Sequence, residues 1–193
     1  MTDAPKSCDP SGPARLAAFL RGETDARVFT HPIAHPTQPT GLCPCDAPVF
    51  KALWFYLKAG FLRFLLNQPY NGPKVWYLRR LGASIGNNVH ISVGVYIDPL
   101  FPQLLTIEDN VLVGLEARIM LHEISMDAFM AGKVTLRRGC LIGGCSMLRA
   151  GVEVGEGASV APASVVVRDV PPGATAIGSP ARNVIKKKSD LSD

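Results

Sequence analysis

The chain has 193 residues, 47% of them hydrophobic and 19% charged, with a net charge of +4 at pH 7. That is enough apolar material for one sizeable core, and a mild basic balance with no accompanying recognition motif argues against a nucleic-acid-binding protein. The five cysteines are an odd count without framework spacing, and the N-terminus shows no basic-then-apolar leader, so a reducing cytoplasm is the expected setting.

Residues 1–48 read as a Pro-rich arm with one short amphipathic stretch, Ala14 to Arg21, of helical character. His31, His35, Cys43 and Cys45 have metal-ligand side chains, but their spacing matches no zinc pattern, and the prolines among them favour extended backbone. Residues 49–66 predict a helix rich in Leu and aromatic residues, interrupted by Lys51, Lys58 and Arg63. Three charges in so short a run argue against a spanning helix. Two readings stay open: an interfacial helix making peripheral membrane contact, and a helix packed on the rest of the chain or on a neighbouring subunit. A second short helix follows over 73–81.

From residue 82 to 178 the pattern changes. Leu136, Ile142, Leu148, Val154, Val160 and Val166 recur at every sixth position, preceded by the sets Ile85, Ile91, Ile97 and Ile107, Val113, Ile119. A period of six is neither helical nor that of a flat strand. It is the signature of a hexapeptide β-helix. Four positions after most of these aliphatic residues stands a small or β-branched one, among them Val89, Ala117, Cys140, Ser146, Ala158 and Ser164. Two inward positions per hexad are therefore expected, with turn formers such as Gly86-Asn87-Asn88 at the corners. The frame breaks twice, at Pro99–Pro102 and over a loop spanning 122–133, and such breaks map to loops leaving one face of the coil. Residues 179–193 form a basic tail ending the chain.

The repeat, its interruption after Ile119-Met120-Leu121-His122-Glu123, and the closing Gly178-Ser179-Pro180-Ala181-Arg182 together resemble the hexapeptide-repeat acyltransferases, especially the maltose/galactoside O-acetyltransferases and xenobiotic acetyltransferases. The resemblance covers about residues 79–188. It implies an all-β, left-handed parallel β-helix carrying an N-terminal helical extension. It implies a homotrimer with active sites between subunits and acetyl-CoA as acyl donor, with no metal. The reaction it implies is transfer of an acyl group to a hydroxyl of a sugar or glycan precursor. Imidazole suits the general base such a reaction needs, and His122 stands at the break. Glu123 is placed to orient His122 or to bind acceptor, with an exposed loop acid as the equal alternative. Carried onto this sequence, the oxyanion donor falls on the Gly144 N–H, and contacts to CoA fall on Gly144, Pro162, Val167, Arg168, Arg182 and Lys186. Asp98, at the first break, is assigned to the acceptor, with a plain turn-forming role as the alternative. An amino-sugar acceptor and a non-catalytic scaffold also remain open. A zinc hydratase on the same fold would need three coil histidines, and only His90 and His122 lie in the repeat.

Overall fold

Two features of the repeat dictate the architecture: a large aliphatic residue that must be buried every six residues, and a turn that must follow each one. The computed structural model describes residues 11–33 and 48–185. Helix α1 (Gly12–Leu20) and strand β1 (Val28–Pro32) come first, then helices α2 (Val49–Leu66) and α3 (Asn71–Arg80). The coils follow. The first comprises β2 (Ser84–Ile85), β3 (His90–Ile91) and β4 (Tyr96–Ile97); the second β5 (Leu105–Ile107), β6 (Leu112–Val113) and β7 (Arg118–Ile119). Between the second and third coils stands a hairpin of β8 (His122–Ile124) and β9 (Ala128–Gly132). The third coil holds β10 (Val134–Leu136), β11 (Leu141–Ile142) and β12 (Met147–Leu148); the fourth β13 (Glu153–Val154), β14 (Ser159–Val160) and β15 (Val165–Val166). Strands β16 (Ala174–Gly178) and β17 (Ala181–Ile185) close the chain as an antiparallel pair.

Each coil contributes one strand to each of three parallel faces of a left-handed β-helix. Register stacks like on like: Ile85, Ile107, Leu136 and Val154 form one ladder. Ile91, Val113, Ile142, Val160 and Ala176 form the second, and Ile97, Ile119, Leu148 and Val166 the third. All are buried, each contributing roughly 1.5–3 kcal/mol for a Val, Leu or Ile side chain removed from water. The small slots point inward too: Val89, Ala117, Cys140, Ser146, Ala158 and Ser164 are all buried. At one row of corners the chain passes through the left-handed region at Asn88, Asn110, Gly139, Gly157 and Gly173, which explains the choice of Asn and Gly there. Asn88 Nδ2 donates to Asn110 Oδ1 at 2.8 Å, continuing the ladder on the outside.

Helix α3 caps the first coil. Asn71 Nδ2 donates to the Val89 carbonyl (2.7 Å) while its Oδ1 accepts the Ile91 N–H (2.9 Å). One turn on, Lys74 is fully buried, and its Nζ donates to the carbonyls of Ile91 and Ser92 at 2.9 and 3.0 Å. Helix α2 is held mainly through its last turns, where Leu62, Leu65 and Leu66 are buried.

Strand β1 departs from the expectation of a simple extended arm. It pairs antiparallel with β9 and completes a three-stranded sheet with the hairpin. Alternation decides which side faces in: Phe29 and His31 are buried, Val28, Thr30 and Pro32 are not. His31 stacks on Phe29 (6.4 Å between ring centres) and lies against Gly12 of α1, where a Cβ would fall 2.5 Å from its ring. His35, Cys43, Cys45 and Lys186 lie outside the described residues.

Candidate active site

The two breaks in the hexapeptide frame meet in space. Asp98 follows Ile97 of β4, and because Ile97 pairs with Ile119 of β7, Asp98 lies directly beneath the point where the chain leaves the second coil. Its N–H donates to the Ile119 carbonyl at 3.1 Å. The carboxylate is completely buried. One oxygen accepts the Leu100 N–H (3.0 Å); the other accepts the Leu121 N–H (3.2 Å) and is paired with Nδ1 of His122. Since a carboxylate can only accept, Nδ1 carries the proton in this pair and Nε2 is the ring nitrogen left for chemistry. The His122 side chain is about one-fifth open, with 21% of its surface exposed.

The imidazole is also fixed by two rings. Phe101, from the first break, meets it edge-on with centres 5.9 Å apart; Phe129, from β9, stacks on it at 6.0 Å. Phe101 and Phe129 touch each other at 6.1 Å, and both are buried. Thus the first break supplies the carboxylate and one ring, and the hairpin supplies the histidine and the other.

Two sequence assignments change here. Asp98 presents no free carboxylate to an acceptor: it has no exposed surface, its oxygens are engaged by three N–H groups, and it lies behind the His122 ring. Glu123 does not orient His122. Consecutive residues of a strand point to opposite sides, and Glu123 instead accepts from Nε of Arg149 with both oxygens, each at 2.9 Å. Phe101 and Phe129 were not singled out from sequence, since an aromatic residue in a loop carries no periodic signal.

Four of the remaining candidates, Val167, Arg168, Gly144 and Pro162, border one face, formed by β4, β7, β12 and β15. Val167 and Arg168 lie two coils beyond His122 on the same corner, beside a shallow groove also lined by Arg27, Met130 and Arg149. Arg168 is exposed, and no carboxylate among the described residues pairs with it. Gly144 and Pro162 lie on the opposite border of the face, on successive coils. A Cβ on Gly143 would fall 2.5 Å from the Pro162 nitrogen, so that glycine is demanded by coil packing; at Gly144 the tightest contact is 3.1 Å. The Gly144 carbonyl accepts the Ala163 N–H (2.9 Å), and no group among the described residues accepts from its own N–H. Arg182 is exposed on the outermost strand, β17. One chain therefore brings His122 and Asp98 together but leaves Gly144 and Pro162 across a face from them. On that face burial, and secondarily the nearby Asp98 charge, pushes the Tyr96 hydroxyl above its ordinary pKa.

A three-faced left-handed β-helix built on six-residue repeats is the architecture of the hexapeptide-repeat class. Residues 79–99 match the family described as the hexapeptide repeat of succinyl-transferase. The chain is 31% identical over 148 residues to YvoF of Bacillus subtilis (strain 168), provisionally named an acetyltransferase, covering 71% of this chain and 86% of that one. It is 33% identical over 112 residues to a 2,3,4,5-tetrahydropyridine-2,6-dicarboxylate N-acetyltransferase of Staphylococcus aureus (strain JH9), a match spanning 56% of this chain and 34% of that enzyme. Among solved structures, the fold is shared with the hexapeptide-repeat acetyltransferase VCA0836 of Vibrio cholerae O1 biovar eltor complexed with acetyl coenzyme A (TM-score 0.54, 22% identity, 72% of this chain and 89% of that one). It is shared also with a maltose O-acetyltransferase of Clostridium difficile 630 (TM-score 0.51, 20% identity, 69% and 89%). The chain belongs to the hexapeptide-repeat acyltransferase family.

Proposed function

We propose that the protein transfers an acetyl group from acetyl-CoA to a hydroxyl of a sugar or glycan precursor, with His122 as general base. The observation that carries this reading is the His122 Nδ1–Asp98 pair, which leaves Nε2 as the basic nitrogen where the two breaks of the coil meet. When bound, acetyl-CoA supplies a thioester carbonyl activated toward attack. His122 Nε2 takes the proton of the acceptor hydroxyl as its oxygen bonds to that carbonyl, and the buried Asp98 carboxylate stabilises the imidazolium. The Gly144 N–H donates to the oxyanion. The carbon–sulfur bond then breaks, and His122 returns the proton to the departing thiolate.

Arg168 and Arg182, both exposed, suit the phosphates of CoA. At Pro162 only the carbonyl can serve the pantetheine arm, since proline has no N–H. Gly144 and Pro162 border the face on the side away from His122, and so a homotrimer, in which a neighbour brings that border to the His122 corner, completes the site. A second reading, N-acetylation of an amino sugar, draws support from the N-acetyltransferase relative. Thiol release measured over a panel of hydroxyl and amine acceptors tests both: turnover on hydroxyls, abolished in His122→Ala, supports the first, and turnover confined to amines overturns it in favour of the second. No turnover on any acceptor, with acetyl-CoA failing to raise the melting temperature, would leave a scaffold.

A further inference from the structure

Helix α2 is apolar on nearly every side yet uncovered. Val49, Phe50, Leu53, Trp54, Tyr56, Leu57, Phe61 and Phe64 are each roughly half exposed or more, up to 86% at Val49. Its buried residues lie in the last turns, the third turn borders a cleft against Gly94–Ile97, and the first two turns carry the most exposed side chains. A helix apolar all round must be covered by protein or lipid. The charge around it selects between these. From residue 47 to 97 there is no Asp or Glu, while Lys51, Lys58, Arg63, Arg79 and Arg80 are exposed there. Lys58 lies over the Trp54 ring at 5.3 Å, and exposed Tyr70 and Trp76 extend the aromatic surface onto α3. Set against a second α2, this surface would bring like charges together, with Glu116 beside Arg63 the acid at its margin, whereas an anionic bilayer offers both an apolar interior and a complementary headgroup charge. No helix among the described residues is long and apolar enough to cross a membrane, so the helix would lie in the interface, with Trp and Tyr at headgroup depth.

We propose that α2 and the start of α3 form a docking surface for an anionic phospholipid bilayer, α2 inserting in the plane of the interface. Binding rests on both terms, and each has its own variant. The full chain is sedimented with phosphatidylcholine vesicles with and without phosphatidylglycerol, and Trp54 emission is followed in a Trp76→Phe background. Binding to the anionic vesicles, a blue shift of Trp54 and quenching by brominated lipid chains are expected. Each cation removed is expected to cost about fivefold in partitioning, so Lys51→Gln/Lys58→Gln should weaken it about thirtyfold. Phe50→Glu/Leu57→Glu should abolish it. These side chains are exposed, and an unchanged thermal melt shows that the coils stay folded. Absence of sedimentation with any vesicle overturns the proposal. So does a concentration-dependent assembly, larger than a trimer and dispersed by Phe50→Glu/Leu57→Glu, in which Trp54 is already shielded before lipid is added.

Discussion

At the scale of single residues, the active pair sets the sharpest expectations. His122→Ala should lower kcat by about 10²–10⁴-fold, the usual worth of a general base, while calorimetry finds acetyl-CoA binding intact. Asp98→Asn should lower kcat on the order of a hundredfold with KM for acetyl-CoA unchanged, because an amide can accept the Leu100 N–H but cannot both hold the His122 N–H and balance its charge. A purely structural Asp98 would instead move stability and leave kcat alone. Elsewhere, burial pushes the Cys140 thiol up to about 12 from an ordinary value near 9. The folded state therefore holds a proton that the unfolded chain releases. The resulting stability is full below about pH 9 and declines as pH rises toward about 12, by at most about 1.4 kcal/mol per pH unit. In Cys140→Ala, denaturant midpoints measured from pH 8 to 11 should fall less steeply than in the parent. The histidine proposed as base stands out in sequence because it sits where a strict repeat lapses. Its partner was not. Asp98 reaches His122 only through the offset of one whole coil, visible once Ile97 is known to pair with Ile119, while Glu123 is adjacent in sequence and, by strand alternation, on the wrong side.

Among elements, the coils and their appendages were legible to different degrees. Strand ladders follow from a six-residue period that no other structure satisfies, and α2 and α3 follow from length and composition. The docking of β1 on β9 did not show, because Phe29 and His31 alternate over only a few residues amid prolines. That docking ties the N-terminal segment to the surroundings of His122. Phe29 packs near Phe19 (6.0 Å), and its strand holds the edge of β9, which carries Phe129 to the His122 ring. Phe29→Ala should therefore lower kcat several-fold while the melting of the coils is little changed, as read by hydrogen exchange on β10 to β15 against exchange on the hairpin. A substitution inside the ladder behaves oppositely. Ile142→Ala, between Val113 and Val160, should cost about 2–5 kcal/mol in global stability, measured by denaturant unfolding.

For the whole molecule, the decisive question is whether one site draws on two chains. A rigid coil cannot fold Gly144 and Pro162 round to the His122 corner; its three faces are fixed by register along their full length. A cyclic trimer is head-to-tail, so each interface sets one border of a chain against a different border of its neighbour. His122→Ala removes the base without touching the opposite border, and Pro162→Trp blocks that border at an exposed position without touching the base. Each variant alone should be inactive. Mixed by unfolding and refolding together in equal amounts, they should regain about a quarter of parental turnover. In random trimers half of the His122 corners are intact and half of the facing borders are intact, and a site needs both. Were the site contained in one chain, every chain would carry one lesion and the mixture would stay inactive. Turnover of the refolded mixture, measured beside refolded parent, separates the two arrangements.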